Sequence, residues 1–337
     1  MEILALVESE DHVCTRYRIS AYREHLAKAG YSIRYVNWPK SLVGMINLVS
    51  KVRGRTVLLQ RKLPPTWLTW LLRRSCSRLI FDFDDAIFLR DSYSKKGLDD
   101  QKRLSRFAAV SKAADAIVAG NQFLADSAIR YANPSSVMVI PTVIDTSRYP
   151  EKSRPNQSDS LEMVWIGSSS TLQSLEIIRP TLETIGKTFD GISLKVICDS
   201  FPSFEHLRIT QVRWEEDREV EEISGSQLGI CFMPDDRWSR GKCGLKLLQY
   251  MAAGLPVIAN PVGVHVEIIN HNQNGFLATT CEEWVSAIRS IYKSKEQQMI
   301  MGANGRKIVE ASYSVCANAG KWVNLLDKLD DQKLQAG

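Results

Sequence analysis

The sequence predicts an α/β protein of two domains, each a mostly parallel, doubly wound sheet. Three observations lead there. The chain has 337 residues, 44% of them hydrophobic and 24% charged, which exceeds one ordinary core and suits two domains of about 150 residues each. Short apolar segments alternate with helical stretches, the pattern of strands joined by crossover helices. A polar stretch from Tyr149 to Leu161, with two prolines and no apolar periodicity, separates two cycles of that alternation and reads as a linker. The expected divisions are 1–152, 160–312 and a C-terminal segment 313–337.

In the first cycle, Glu2 to Val7 and Ser32 to Trp38 read as strands around a helix from Arg18 to Ala29, closed by Gly30 as C-cap. Further strands are expected at Thr56–Gln60, Arg78–Phe83, Ala116–Ala119 and Ser136–Ile140. The second cycle gives strands at Glu162–Gly167, Leu194–Cys198, Leu228–Met233 and Pro256–Ala259. Its helices are expected over Leu172–Phe189, Leu245–Ala253 and from Cys281 onward, and an amphipathic stretch, Ala317 to Leu329, follows Tyr313-Ser314.

Composition excludes several classes. The seven cysteines are scattered, with no CxxC pair and no histidine at ligand spacing, so reduced thiols and no structural zinc are expected. The N-terminus lacks a basic n-region and a long apolar run, and no stretch reaches the roughly 18 apolar residues of a spanning helix; the expectation is a cytoplasmic protein with peripheral membrane contact at most. The net charge is only +5, yet no Asp or Glu occurs from His25 to Phe81, where eleven Lys and Arg fall. That basic run carries no nucleic-acid motif, and its aromatics are interleaved with Leu, so nucleic acid is not expected as a partner. No GxGxxG follows any strand, which removes a dinucleotide oxidoreductase.

The stretch from Trp238 to Gly263, WSRGKCGLKLLQYMAAGLPVIANPVG, is the most informative. A basic loop holding Arg240 and Lys242 runs through Gly244 into a helix bearing Lys246, stops at Gly254-Leu255-Pro256 and resumes as a short strand. A helix N-terminus offers unpaired N–H groups and the positive end of the macrodipole, and the adjacent cations add full charges, so a diphosphate suits it. A loop and helix with solvated lysines is the bland alternative.

With Gly244, Leu247-Leu248-Gln249, Met251 to Ala259, Gly263, Glu267 and Asn274-Gly275-Phe276-Leu277, residues 228 to 280 resemble the donor-binding half of GT-B glycosyltransferases of the group 1, family 4 type. The resemblance implies two Rossmann-like domains facing each other across a cleft, a C-terminal helix that packs back on the N-terminal domain, and an N-terminal domain that receives the acceptor. It further implies transfer from a nucleoside diphosphate-sugar to a hydroxyl acceptor, with retention, no divalent metal and no other cofactor. The family's two glutamates, eight positions apart, are Gly241 and Gln249 here. Gln249 keeps an amide for a ribose diol, whereas Gly241 offers no side chain. Donor binding is expected from Gly167, Ser168, Lys242, Gly244, Gln249, Gly263 and Glu267, with His265 beside them, and stabilisation of the departing diphosphate from Arg240 and Lys246.

Two features of the first domain bear on the acceptor. Arg16 and Arg18 follow the first strand, where ligands bind in such sheets; they hold a phosphate or merely start a helix. Phe81-Asp82-Phe83-Asp84-Asp85 places three carboxylates at a strand end, with Asp82 and Asp84 expected on one side and the phenylalanines on the other. Asp84 falls near the family histidine and orients the acceptor hydroxyl or acts as base. Alternatively the Asp-x-Asp spacing binds a metal, or the cluster pairs with arginines. Finally, Trp67, Trp70, Arg73 and Arg74 compose either an interfacial segment on anionic lipid or a core helix, and the first of these favours an envelope or lipid-linked glycan acceptor. A non-catalytic nucleotide-sugar binding subunit remains the competing functional class.

Overall fold

The computed structural model describes residues 1–150 and 160–334, so residues 151–159 of the expected linker lie outside the described residues. In the first half, strands β1 (Glu2–Val7), β2 (Ser32–Asn37), β3 (Thr56–Gln60), β4 (Arg78–Phe83), β5 (Ala116–Ala119) and β6 (Val137–Val139) alternate with helices. These are α1 (Val13–Arg18), α2 (Arg23–Lys28), α3 (Leu42–Lys51), α4 (Thr66–Ser75), α5 (Gln101–Ala113) and α6 (Gln122–Ile129). In the second half, α7 (Gln173–Ile177), α8 (Arg179–Thr188), α9 (Glu219–Ser224), α10 (Arg237–Arg240), α11 (Leu245–Ala252), α12 (His265–Ile268), α13 (Cys281–Lys293) and α14 (Lys295–Ile308) accompany six more strands. The strands are β7 (Leu161–Ile166), β8 (Ile192–Cys198), β9 (Arg208–Arg213), β10 (Leu228–Cys231), β11 (Val257–Ala259) and β12 (Gly275–Leu277), and α15 (Val315–Leu334) closes the chain.

Two compact units result. One comprises Met1–Val143, Asp236–Cys243 and Val315–Gly337, and the other Ile144–Asp235 and Gly244–Ser314. The first holds a parallel sheet of order β2-β1-β3-β4-β5-β6, the second one of order β12-β11-β10-β7-β8-β9. Each order reverses direction around its first strand, the doubly wound arrangement. The inner strands β1, β3, β4, β5, β7 and β10 are largely apolar and buried on both faces because helices cover both.

In the first unit, Leu48, Leu68, Leu72, Phe81, Phe83 and Phe107 pack on one face of the sheet. Ile19, Tyr22, Leu26 and, from α15, Trp322, Leu326 and Leu329 pack on the other. The ring of Trp322 lies 6.1 Å from that of Tyr22, and Tyr31 donates to Asp327 at 2.5 Å, so the C-terminal helix is part of this unit's core.

Several elements depart from the sequence reading. The expected helix Arg18–Ala29 starts earlier, at Val13, where His12 Nδ1 accepts from Cys14 N at 3.3 Å as N-cap, and it breaks at Ile19. The expected helix Leu172–Phe189 is two, α7 and α8, divided before Pro180, which has no N–H to continue the first. Strands β9 and β12 carried no clear apolar run; they are edge strands, stabilised by one neighbour each. The segment Asp236–Cys243, expected with the donor half, folds with the first unit.

Alternation along β4 places Phe81 and Phe83 with α3, α4 and α5, and turns Asp82 to the opposite face. There Asp82 meets Arg18, and both are buried. Arg18 Nη2 donates to Asp82 Oδ1 at 2.5 Å and Nε to Oδ2 at 3.4 Å, while Nη1 donates to the carbonyl of Ile140 at 2.5 Å. Burial pushes the Asp82 carboxyl above its usual range, against the pull of Arg18. Arg18 therefore joins α1, β4 and the end of β6, and it is not available to a ligand phosphate; this corrects the sequence expectation.

Removing one partner strands the other charge in the core, so Asp82→Ala is expected to lower stability by roughly 3–5 kcal/mol, whereas Arg18→Met with Asp82→Leu is expected to cost far less. Urea denaturation of the three proteins measures the difference, and equal losses in the single and double variants would contradict this account.

Candidate functional site

In the second unit, β7 ends at Ile166 and the chain turns through Gly167 and Ser168. A side chain at Gly167 would stand 2.4 Å from the Trp165 ring and 2.7 Å from Thr171 Oγ1, so only glycine lets the backbone pass. The turn is held by Thr171 Oγ1, which accepts from Ser168 N at 3.2 Å, and by Asp199, which accepts from Ser169 N at 2.7 Å and Ser169 Oγ at 2.9 Å.

Helix α11 is docked against the same strand: Ile166 N donates to Tyr250 Oη at 2.9 Å. Its N-cap is Gly244, in the left-handed region at φ 70°, and no side chain caps its first turn. Lys246 lies in that turn with Nζ 4.0 Å from the centroid of the Trp165 ring. A lysine over the face of an indole gains from the ring quadrupole, and here the indole fixes the ammonium beside the Gly167 turn. The pieces that the sequence offered for a diphosphate, a small-residue turn, an uncapped helix start and Lys246, are thus brought together at the carboxyl end of β7.

Beside them lies a buried polar knot. Asn260, after β11, accepts from Met233 N at 3.0 Å and donates to Met233 O at 2.6 Å. His265 Nδ1 is 2.8 Å from Asn260 O, and its Nε2 is 3.6 Å from Cys231 Sγ. Nδ1 is then the donor and Nε2 the acceptor from the thiol, the tautomer of a neutral imidazole. Burial pushes His265 down to about 4, the hydrogen bond to Asn260 opposes it, and the nearby Lys246 charge adds to the depression. His265 is therefore a fixed, uncharged wall of the site.

Other expected donor residues divide. Gly263 makes the turn before α12 at φ 54°, and Glu267 is exposed. Gln249, expected to bond a ribose diol, is only 3% exposed and presents almost no surface to a ligand.

In the first unit, a second cluster sits at the carboxyl ends of β3, β4 and β5. Arg61 takes a left-handed backbone, φ 52°, and its N donates to Asp82 O at 2.8 Å. That conformation is costly for a residue with a side chain, by roughly 1–3 kcal/mol, and it is over-determined here by partners on three sides. Arg61 Nη2 donates to Asp85 Oδ2 at 2.6 Å, Nε stands 3.4 Å from Asp84 Oδ1, and Nη1 meets Cys14 Sγ.

Lys242 completes this cluster. Its Nζ is 2.9 Å from Asp85 Oδ2 and 4.5 Å from the Trp238 ring centroid. Asn121, the N-cap of α6, donates through Nδ2 to the carbonyls of Arg240 and Lys242 at 3.2 and 3.0 Å. Arg237 meets Asp99 at 2.7 Å, and Cys243 Sγ donates to Asp84 O at 3.3 Å. Lys242, expected on the donor, is thus neutralised by Asp85, and Arg240 is exposed on the same segment. Gly241 is explained by the same packing: a Cβ there would lie 2.7 Å from Ala86 Cβ and 2.8 Å from Ala86 N, leaving no room for the family's glutamate.

Arg16 is half-buried, with its guanidinium 5.2 Å from the Tyr17 ring centroid. Among the described residues no group of three His, Cys, Asp or Glu side chains is disposed to hold a metal ion, and all seven cysteines are free. No described helix is long and apolar enough to cross a membrane.

Residues 226–308, which include α11, the Gly263 turn and His265, match the family described as Glycosyl transferases group 1. The match covers about a quarter of the chain, within the half that carries Lys246. Comparison of whole structures extends the likeness in fold to both units. The Anabaena protein HepE, solved with UDP and glucose, aligns over 97% of this chain and 100% of its own at 13% identity and a TM-score of 0.69. Sucrose-phosphate synthase from Thermosynechococcus elongatus aligns over 100% of both chains at 15% identity and a TM-score of 0.72. At such identities these likenesses show the fold, GT-B. A GDP-Man:Man(3)GlcNAc(2)-PP-Dol alpha-1,2-mannosyltransferase of Dictyostelium discoideum is 25% identical over 126 residues, which cover 37% of this chain and 24% of that relative's length.

Sequence reasoning missed the roles of Arg61, Asn121, Trp165, Asn260 and Tyr250. No motif signals them, because each acts through a contact with a distant segment. Only the polar Asn260-Pro261 after an apolar strand hinted at one.

The neutral state of His265 predicts a pH dependence. An unfolded histidine titrates near 6.5 and the folded one near 4, so in that window the unfolded chain binds a proton that the native one refuses. Stability is full above the unfolded value and falls as pH drops toward the folded one, by up to about 3 kcal/mol. Urea denaturation near pH 7 and near pH 5 is expected to show this slope, and His265→Gln to flatten it; an unchanged slope in the variant would assign it elsewhere.

Proposed function

We propose that this protein transfers a sugar from a nucleoside diphosphate-sugar to a hydroxyl acceptor, with retention and without a divalent metal. One observation carries the reading: Lys246 and the first turn of α11, inside the segment that matches the group 1 family, converge at one sheet edge with the Gly167-Ser168 turn that precedes that segment. As the glycosidic bond breaks, negative charge builds on the departing diphosphate, and a positioned ammonium with a helix dipole stabilises it. Glu267 and Gly263 border the donor, while Lys246 replaces the work expected of Lys242.

What supports metal independence is the pairing of the strand-end carboxylates. Asp82 faces Arg18, and Asp84 and Asp85 face Arg61. The choice left open among three roles for the Asp-x-Asp segment then narrows to two, an ion-paired cluster and acceptor orientation by Asp84. Arg16, half-buried after β1, is the cation assigned to an acceptor phosphate. Retention follows from the family resemblance. An envelope or lipid-linked glycan acceptor, met by a cytoplasmic protein at the inner face of a membrane, is supported by the exposure of Trp67 and Trp70.

A thermal-shift series with UDP, GDP, dTDP, CDP and ADP, with and without Mg²⁺, tests the donor site. One nucleotide is expected to raise Tm with no need for metal, and Lys246→Ala to abolish that rise and cut sugar transfer at least about a hundredfold, the scale of losing one oxyanion-stabilising donor. A retained shift without transfer to any hydroxyl acceptor or to water would favour a nucleotide-sugar binding subunit, and silence from every nucleotide would remove the transferase reading.

A further inference from the structure

Helices α3 and α4 lie side by side on one face of the first sheet and share its core. Each spends only part of its apolar surface there. In α3, Leu48 is buried and Met45 and Val49 pack against the core, while Leu42, Val43 and Ile46 are 62%, 68% and 56% exposed. In α4, Leu68 and Leu72 are buried, while Trp67 and Trp70 are 42% and 58% exposed. Both outward sets fall in the first half of their helices, and both helices leave carboxyl ends of strands of one parallel sheet, so the five side chains lie toward one edge of the sheet. Exposed apolar residues scattered singly need no explanation, but a cluster of five on two adjoining helices does.

Charge identifies what covers this face. No Asp or Glu occurs from His25 to Phe81. Lys40, Lys51, Arg53 and Arg74 are exposed around the two helices and form no ion pair with a described carboxylate, and the Arg74 guanidinium stacks 5.1 Å from the Trp70 ring centroid. A second copy of the same face would bring like charges together, which disfavours self-association. Apolar and indole side chains ringed by long cations instead match the acyl boundary and headgroups of an anionic bilayer, where the stems of Lys and Arg lie along the apolar layer and their charges reach phosphate.

We infer that α3 and α4 together form a docking face for an anionic lipid bilayer, with Leu42, Val43, Ile46, Trp67 and Trp70 inserted and Lys51, Arg53 and Arg74 on the headgroups. This rests on the proposed peripheral location and adds the surface, the contribution of α3 and the lipid charge. It needs no donor chemistry.

Flotation of the whole protein with vesicles tests it. Binding is expected to mixed phosphatidylcholine and phosphatidylglycerol vesicles, to weaken with salt, and to be slight with phosphatidylcholine alone. The triple variant Leu42→Ser, Val43→Ser, Ile46→Ser and the double variant Trp67→Ala, Trp70→Ala are each expected to bind at least about tenfold more weakly. Lys51→Glu with Arg74→Glu is expected to erase the preference for anionic vesicles. These residues are exposed, and far-UV circular dichroism with the nucleotide-induced Tm shift shows that each variant is folded. Equal binding to neutral vesicles, unchanged binding in the apolar variants, or a dimer in sedimentation velocity that the same variants dissolve would overturn the inference. Vesicle binding without any nucleotide shift would instead sink the transferase reading and leave this face standing.

Discussion

A parallel sheet places every strand's carboxyl end on one edge, and both units of this chain are organised by that constraint. Within the first unit the loops leaving β3, β4 and β5 gather on its own sheet's edge, and within the second those leaving β7, β10 and β11 gather on theirs, because the crossover helices return the chain to the opposite edge each time. Residues far apart in sequence, such as Gly167, Lys246 and Asn260, become neighbours without any long-range motif. The edge is also where helices begin, so their unpaired N–H groups and positive dipoles collect at the same place.

What distinguishes the two edges is how their polar groups are satisfied. In the first unit, cations and carboxylates pair with one another: Arg18 with Asp82, Arg61 with Asp84 and Asp85, Lys242 with Asp85. A buried pair of this kind contributes little net stability but makes either partner indispensable once the other is present. It also recruits Asp236–Cys243 into the unit, through the Lys242 ion pair and the two carbonyls held by Asn121. In the second unit the neutral groups Asn260, His265 and Cys231 satisfy one another, and the Lys246 ammonium lies over the Trp165 indole.

The legible part of the site was the part that is local in sequence. The loop, helix and turn from Trp238 to Gly263 announced themselves by composition and by resemblance, and Gly244, Lys246 and Gly263 fall where that reading put them in the chain. The illegible part was pairing. Arg18 and Lys242 had the right charge for a phosphate, and nothing in their neighbourhood revealed that Asp82 and Asp85 would claim them. Gly241 looked like the loss of a catalytic group; in the fold it is a contact with Ala86 that no larger residue permits. Arg73 likewise pairs with Asp115, while Trp67 and Trp70 face outward and are joined by an apolar stripe on α3 that the sequence reading passed over.

The sequence by itself determined the fold class, the two cycles of strand and helix, most strand positions and the family resemblance of residues 228 to 280. Apolar periodicity and turn chemistry act over a few residues, and the chain records them directly. Only the tertiary structure decided which cations are spent on carboxylates, which unit owns Asp236–Cys243, that Gln249 is buried and that His265 stays neutral. Those outcomes depend on which side chains burial brings within hydrogen-bonding distance, and a charge or amide carries no local mark of its eventual partner.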